Sequence, residues 1–408
     1  MDPSRPTAIP AHADVHQDIA GPLPVGLLRA WAAGERTLER AMALLAPFRK
    51  EGTVGASDAS GLSRLSQQRD LLDVVWMVAQ PKQILHGIGT AIGGEAIGIW
   101  VADNTEMFYP ASIPVDDVVA AMIETQARIA ERASVMIGIC LHTGVFYEIG
   151  GGLYGADARA AELLAEDHAA AAEILVTSEL FSSLREPGAA TFERRAELDV
   201  VHPAGVYRVR SSRRFASLGE DPRIFPHGFP DEFFAKLGAG GNEPRTVSPN
   251  EPRTVERFVV FLVRARTHHA DDDLPAILDD FVADALLGTI VADSAGPAGH
   301  VAETGGGLAV VVYESGQPAL DFAMLARERL RNAAIDVKTG IDCGQVLLFS
   351  GTGIVGDPVN LASKISEDIG RSGRISISDR AAASMKGLSS TERFDTVISA
   401  VRVSGVVL

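Results

Sequence analysis

Cysteine is nearly absent: Cys140 and Cys343 are the only two in 408 residues, which excludes a disulfide scaffold and suits a reducing cytoplasm. No run of about 18 apolar residues occurs, so no membrane span is expected. The first twenty residues, with Pro3, Pro6, Pro10 and Asp14, lack the apolar core of a signal peptide. Positive charge is also scarce. The 37 Lys and Arg against 53 Asp and Glu leave a formal charge of −16, which opposes binding to nucleic acid or to an anionic membrane surface. What is present is an ordinary globular composition, 46% hydrophobic and 22% charged, in a chain long enough for two domains of about 150–200 residues, each with its own core.

The chain repeats itself. Ala172-Glu-Ile-Leu-Val-Thr-Ser-Glu179 matches Gly373-Arg-Ile-Ser-Ile-Ser-Asp-Arg380, with Ile174 and Ile375 lying 201 positions apart. Each is a short strand running into a helix start, capped at Ser178 or Asp379. Val135-Met-Ile-Gly-Ile matches Val337-Lys-Thr-Gly-Ile341, Gly144 matches Gly344, and Gly155 and Gly356 each precede a helix. Gly93-Gly94 before an apolar strand is matched to Gly305-Gly306-Gly307 before Leu308.

Each copy reads as alternating helices and strands with hairpins, the pattern of an α+β fold in which helices pack a mixed sheet. Long helices are expected over 62–78 and 115–132 in the first copy and over 274–291 and 318–333 in the second. The second copy opens on a clear strand, Phe258-Val-Val-Phe-Leu-Val263; the first offers only a weak counterpart over 42–48, interrupted by Pro47. The boundaries that follow are an N-terminal segment with a helix (1–40), a first domain (41–210), a Pro/Gly-rich linker (211–255) and a second domain (256–408). The linker duplicates a segment, Asn242-Glu-Pro-Arg-Thr-Val247 and Asn250-Glu-Pro-Arg-Thr-Val255, and is expected to be extended and exposed apart from a short helix near 231–237.

Gly138-Ile-Cys-Leu-His-Thr-Gly144 followed by Gly150-Gly-Gly-Leu-Tyr-Gly155 resembles the class III adenylyl/guanylyl cyclase domain, and the second copy resembles it more closely. There Gly340-Ile-Asp-Cys-Gly344 leads to Val355-Gly-Asp-Pro-Val-Asn-Leu-Ala-Ser-Lys364, similar to the family's Gly-Asp-x-Val-Asn-x-Ala-x-Arg signature. The resemblance covers about residues 60–210 and 256–408 and implies two ferredoxin-like, cyclase-type sandwiches. It also implies a site formed between paired domains. Two Asp carboxylates there hold the metal ions that clamp a triphosphate, an Asn and an Arg four residues apart face the ribose and phosphate, and a Lys with an Asp or Thr selects the purine.

Most of that set is missing from the matched positions. The metal-ligand positions fall on Gly94 in the first copy and on Gly306 and Val263 in the second, and the weak first strand of the first copy offers no Asp. Neither Gly nor Val supplies the oxygen donors magnesium requires. The purine-selecting positions fall on Thr90 and Gly152, and on Ala302 and Gly353. The Asn and Arg positions become Arg159 and Leu163 in the first copy but Asn360 and Lys364 in the second, a pair read either as a relic that packs the helix or as a remaining phosphate or partner contact. Glu95, Glu303, Asp103 and Asp271–Asp273 are the nearest carboxylates, read as solvated or helix-capping. His142 is read as a structural turn residue, Cys140 and Cys343 as buried thiols, and His268-His269 as a solvated loop.

The expected protein is a catalytically inactive, cytoplasmic signalling or assembly protein with no cofactor, acting on a protein partner through paired cyclase-homology domains. The pairing is expected within one chain or in a homodimer. A nucleotide sensor and a divergent cyclase are the alternatives, since a fold alone does not fix the chemistry.

Overall fold

The computed structural model describes residues 23–59, 69–100, 104–185, 190–212, 218–238, 253–264, 274–348, 353–388, 392–398 and 401–408. Two eight-stranded mixed sheets form its frame, and they share one strand order. The first contains β1 (Arg49–Ala59), β2 (Glu95–Ile97), β3 (Thr105–Pro110), β4 (Ile137–Ile149), β5 (Gly152–Tyr154), β6 (Ile174–Thr177), β7 (Ala190–Arg194) and β8 (Val206–Ser212). They run β2-β3-β1-β4-β6-β8-β7, with β5 folded back on β4. The second contains β9 (Arg253–Arg264), β10 (His300–Gly305), β11 (Leu308–Tyr313), β12 (Val337–Leu348), β13 (Ile354–Val355), β14 (Ile375–Ser378), β15 (Glu392–Ile398) and β16 (Val401–Val407). Their order is β10-β11-β9-β12-β14-β16-β15, with β13 on β12. The repeat in the sequence is thus a repeat of topology.

Alternation along the central strands sends side chains to two helical layers. In the first copy Ile139 and Leu141 meet the helices Leu71–Ala91 and Val115–Arg132. Cys140, with Val54 and Ala56 of β1, meets Ala161 and Leu164 of the helix Ala156–Asp167. The second copy divides in the same way, Val260 and Leu262 facing the helices Leu274–Ala295 and Gly316–Asn332 while Val259 and Phe261 face Ala362 of the helix Asp357–Lys364. Cys140 is buried, which pushes its thiol far above the ordinary range, and Cys343 is half-buried.

The first strand of the first copy is not where the sequence suggested. Residues 42–48 close a helix, Leu38–Leu45, and a short 3-10 turn, and the central strand is the following Arg49–Ala59. Thr37 caps that helix by accepting from the Arg40 amide at 3.3 Å, and Ala41 and Leu45 give it a helix-spaced buried face. The single helix expected in the N-terminal segment is two helices, Val25–Ala32 and Leu38–Leu45, with Gly34 between them.

The expected linker is also partly folded. Residues 218–238 lie on the first copy, where Phe225, Phe229, Phe233, Phe234 and Leu237 join the core formed by the helices Leu71–Ala91 and Val115–Arg132. Pro226 accepts from the Trp100 amide at 2.7 Å and Gly87 from the Asp221 amide at 2.9 Å. Four phenylalanines in ten residues outweigh the prolines and glycines around them. The first of the duplicated segments lies outside the described residues, and the end of the second already belongs to β9.

The copies exchange hairpins. Ile149 of β4 is buried among Ile277, Leu278, Phe281 and Val282 of the second copy, and Tyr154 of β5 stacks edge-on against Phe281 with centroids 4.7 Å apart. In return Leu347 of β12 is 1% exposed within the first copy's core, with Val355 of β13 packed beside it. The N-terminal helices complete this contact. Leu28 and Trp31 join the same cluster as Phe281, and the Trp31 indole donates to Asp279 Oδ1 at 2.9 Å, a carboxylate also paired with Arg36 at 2.8 Å.

Candidate functional site

Strand register fixes which residues of the two copies are equivalent. Ile139 of β4 pairs with Ile174 as Thr339 of β12 pairs with Ile375, so Gly138 corresponds to Lys338. Across the sheet these two pair with Asp58 of β1 and Val263 of β9. The first-copy equivalent of Val263 is therefore an aspartate, Asp58, half-buried at the end of β1. This corrects the expectation that the first copy carries no acid there. Gly94 also moves: it ends the turn after the helix Leu71–Ala91 and precedes β2, whereas Gly306 (φ 57°) sits in the β10–β11 turn. A Cβ at Gly94 would lie 2.5 Å from the Tyr109 ring and 2.8 Å from the Gly89 carbonyl, so its role is close packing. The first-copy counterpart of the Gly306 turn is the connection from β2 to β3, in which residues 101–103, Asp103 among them, lie outside the described residues. Thr90 is within a helix.

Beside Asp58 the first copy forms a cavity with an open mouth, lined by Ser57, Trp100, Asn104, Glu106, Glu162 and Glu166 among others. The Ser57 and Thr105 hydroxyls hydrogen-bond at 2.6 Å, and Asn104 donates to Glu166 Oε1 at 3.4 Å. Glu106 is 8% exposed, and among the described residues neither of its carboxylate oxygens has a hydrogen-bond partner. Burial, reinforced by the charges of Glu162 and Glu166, pushes its carboxyl well above the ordinary range. The equivalent residue in the second copy, by the pairing of Glu106 with Ala56 and of Val310 with Phe261, is a buried valine.

Glu106 therefore makes stability pH-dependent in a defined sense. Its folded-state pKa is raised, so the folded chain keeps a proton that the unfolded chain releases above about pH 4.3, and stability falls as pH rises from there through the folded pKa. Glu106→Val, copying the second repeat, is expected to raise unfolding free energy by about 1–3 kcal/mol at pH 8. The gain should shrink towards pH 4, as read by urea unfolding at the two pH values. An equal gain at both would contradict the assignment.

The second copy contributes Asn360 and Lys364, both half-buried on the helix Asp357–Lys364. The helix starts at Gly356, where a Cβ would lie 2.7 Å from the Gln345 carbonyl, and Pro358 suits its first turn. Four-residue spacing puts the amide and the ammonium on one face. The chain then continues as a π-turn, Ile365–Ile369, whose Glu367 is close enough to feel the charges of Glu166 in the first copy and of Lys364. The carboxylate-rich end of one copy thus lies near the Lys364 end of the other. In the first copy the corresponding pair is Arg159, 3.9 Å from Glu162, and the half-buried Leu163. Of the other carboxylates, Glu95 pairs with Lys50 at 3.2 Å, Glu303 lies on β10, and Asp271–Asp273 and His268-His269 lie outside the described residues.

No protein-family model and no curated protein matches the sequence. Among solved structures the fold is similar to a class III adenylyl cyclase-like ATP-binding protein from Pseudomonas aeruginosa, with a TM-score of 0.53 and 13% identity over 83% of this chain and 85% of that one. The adenylyl cyclase CyaB from P. aeruginosa matches 41% of this chain and 98% of its own at 19% identity and a TM-score of 0.35. The guanylate cyclase domain of RhGC from Catenaria anguillulae matches 40% of this chain and 99% of its own at 17% identity and a TM-score of 0.35. At such identities the likeness is one of fold.

Proposed function

We propose, on the premise of a class III cyclase-type fold present twice in tandem, that this protein binds a nucleoside triphosphate in one cleft between its copies. In this reading it signals the bound state to a protein partner rather than turning the nucleotide over. The observation that carries the reading is complementarity: the first copy keeps the acid, Asp58, where the second has Val263. The second copy keeps Asn360 and Lys364 where the first has Arg159 and Leu163. One of two pseudo-symmetric clefts would hold all three groups and the other none. Lys364 would meet a phosphate as a point charge, Asn360 would hydrogen-bond the ribose, and Asp58 would hold a magnesium ion that arrives with the nucleotide. The ATP-binding described for the Pseudomonas cyclase-like protein of the same fold favours this ligand class by analogy.

Cyclisation asks for more. Two metals between attacking and leaving oxygens need paired carboxylates, and among the described residues only Asp58 stands at a metal-ligand position; Val263 and Gly306 leave the second copy without one. The expected result of calorimetric titration with ATP and GTP in magnesium is one site per chain, weakened about tenfold (about 1.4 kcal/mol) by Lys364→Ala and also by Asp58→Asn. Cyclic nucleotide formation abolished by Asp58→Asn would make the protein an enzyme instead. Absence of binding to any nucleotide would leave a scaffold that acts through domain pairing alone.

A further inference from the structure

A second cluster in the first copy lies on chemistry the nucleotide cleft does not use. His142 of β4 is 1% exposed. Its Nδ1 is 2.8 Å from Thr177 Oγ1 and 3.9 Å from Glu179 Oε2, and that carboxylate oxygen is 2.8 Å from His202 Nε2. The two imidazoles stand edge to face with centroids 5.9 Å apart. One ligand atom from each of His142, Glu179 and His202 falls within 4.8 Å of the others. On the far side of the buried ring, His142 Nε2 has no well-formed hydrogen bond although Asp157 Oδ1 stands 3.1 Å away, and Asp157 Oδ2 accepts from the Val145 amide at 2.6 Å.

The repeat supplies an internal comparison. Register equates His142 with Asp342, Thr177 with Ser378, and Glu179 with Arg380. In the second copy the Arg380 guanidinium lies between two carboxylates, 2.6 Å from Asp342 Oδ1 through Nε and 2.9 Å from Asp357 Oδ2. That copy carries its own permanent cation. In the first copy the cation's position is an acid, Glu179, and the acid's position is an imidazole. The two imidazoles thus stand between two carboxylates, Asp157 on one side of His142 and Glu179 on the other, and these four groups include no permanent cation.

We propose that His142, Glu179 and His202 form a binding site for a divalent transition-metal ion of the zinc class in the first copy, with Asp157 orienting His142 from behind. Two imidazoles and a carboxylate are a ligand set suited to zinc. Bonds of about 2.0–2.1 Å in tetrahedral geometry place ligand atoms roughly 3.3 Å apart, a spacing bracketed by the observed 2.8 and 3.9 Å. A carboxylate behind the ligating imidazole holds the ring in orientation, so that Nδ1 faces the ion. Glu179 is exposed and His202 half-buried, so the ion has a path from solvent.

The test uses the full chain stripped of metal with a chelator and dialysed, titrated calorimetrically with Zn2+, and separately with Co2+ followed by its visible absorption. One Zn2+ per chain and the strong visible bands of tetrahedral Co2+ are expected. Both should weaken at least tenfold in His202→Ala and in Glu179→Gln, two variants outside the buried core whose far-UV circular dichroism should match the parent. Failure of the parent chain to bind Zn2+ would overturn the proposal, as would Zn2+ binding indifferent to both substitutions.

Discussion

Replacing Arg380 with alanine is expected to lower the unfolding free energy by about 3–5 kcal/mol at pH 7. Asp342, its partner, has a fully buried side chain on the central strand β12, and the guanidinium reaches it through two nitrogens while also pairing with Asp357. Removing the arginine leaves a buried carboxylate with the Ser378 hydroxyl as its remaining hydrogen bond among those described. A buried charge stranded in this way costs far more than the pair contributed. Equilibrium urea unfolding at pH 7 measures the loss. A change below about 1 kcal/mol at pH 7, the range of exposed pairs, would mean that solvent reaches Asp342 freely.

The second large effect concerns the exchanged hairpins. Phe281 is 2% exposed and touches Tyr154 across the boundary between the copies, in the same cluster as Trp31, Leu45 and Ile149. Phe281→Ala is expected to cost about 3–5 kcal/mol, the range of a phenylalanine lost from a packed core. Because its neighbours come from the N-terminal helices and the first copy as well as from its own helix, the loss should appear in the unfolding of both sheets as one transition. If the copies did not pair in solution this ring would lie largely in water, and the substitution would change stability by only a few tenths of a kcal/mol.

Much of the fold was legible because its signals were hydrophobic and periodic. The helix expected over 115–132 is Val115–Arg132 as observed, and the strand Phe258–Val263 lies within β9. Its counterpart β1 was not legible. Arg49-Lys-Glu-Gly-Thr-Val-Gly-Ala-Ser-Asp-Ala59 carries almost no apolar bulk, since β1 runs between β3 and β4 where neighbours crowd it. A Cβ at Gly52 would lie 2.3 Å from the Tyr109 carbonyl. Small residues suited to close approach resemble a loop when read along the chain, and Asp58 is hidden with the strand that carries it. Asn360 and Lys364 were found because a helix face is encoded in local spacing. His142, Glu179 and His202 are separated by 37 and 23 positions, with no local motif. They meet only because β6 lies parallel to β4 and the turn before β8 returns to the same edge.

Hairpin exchange also imposes an order in time. Leu347 fills a place in the first copy's core, yet it is encoded 198 positions after Ile149, which ends the strand that makes the reciprocal contact. At ribosomal rates of about 5–20 residues per second, the gap corresponds to roughly 10–40 s of synthesis. Through that interval the first copy emerges with the seat of Leu347 and Val355 uncovered, and for most of it the β4–β5 hairpin lacks the helix Leu274–Ala295 to rest on. The nascent first half is therefore the form most exposed to self-association and to capture by chaperones, and a stalled ribosome releasing residues 1–250 would shed a sticky fragment rather than a finished domain.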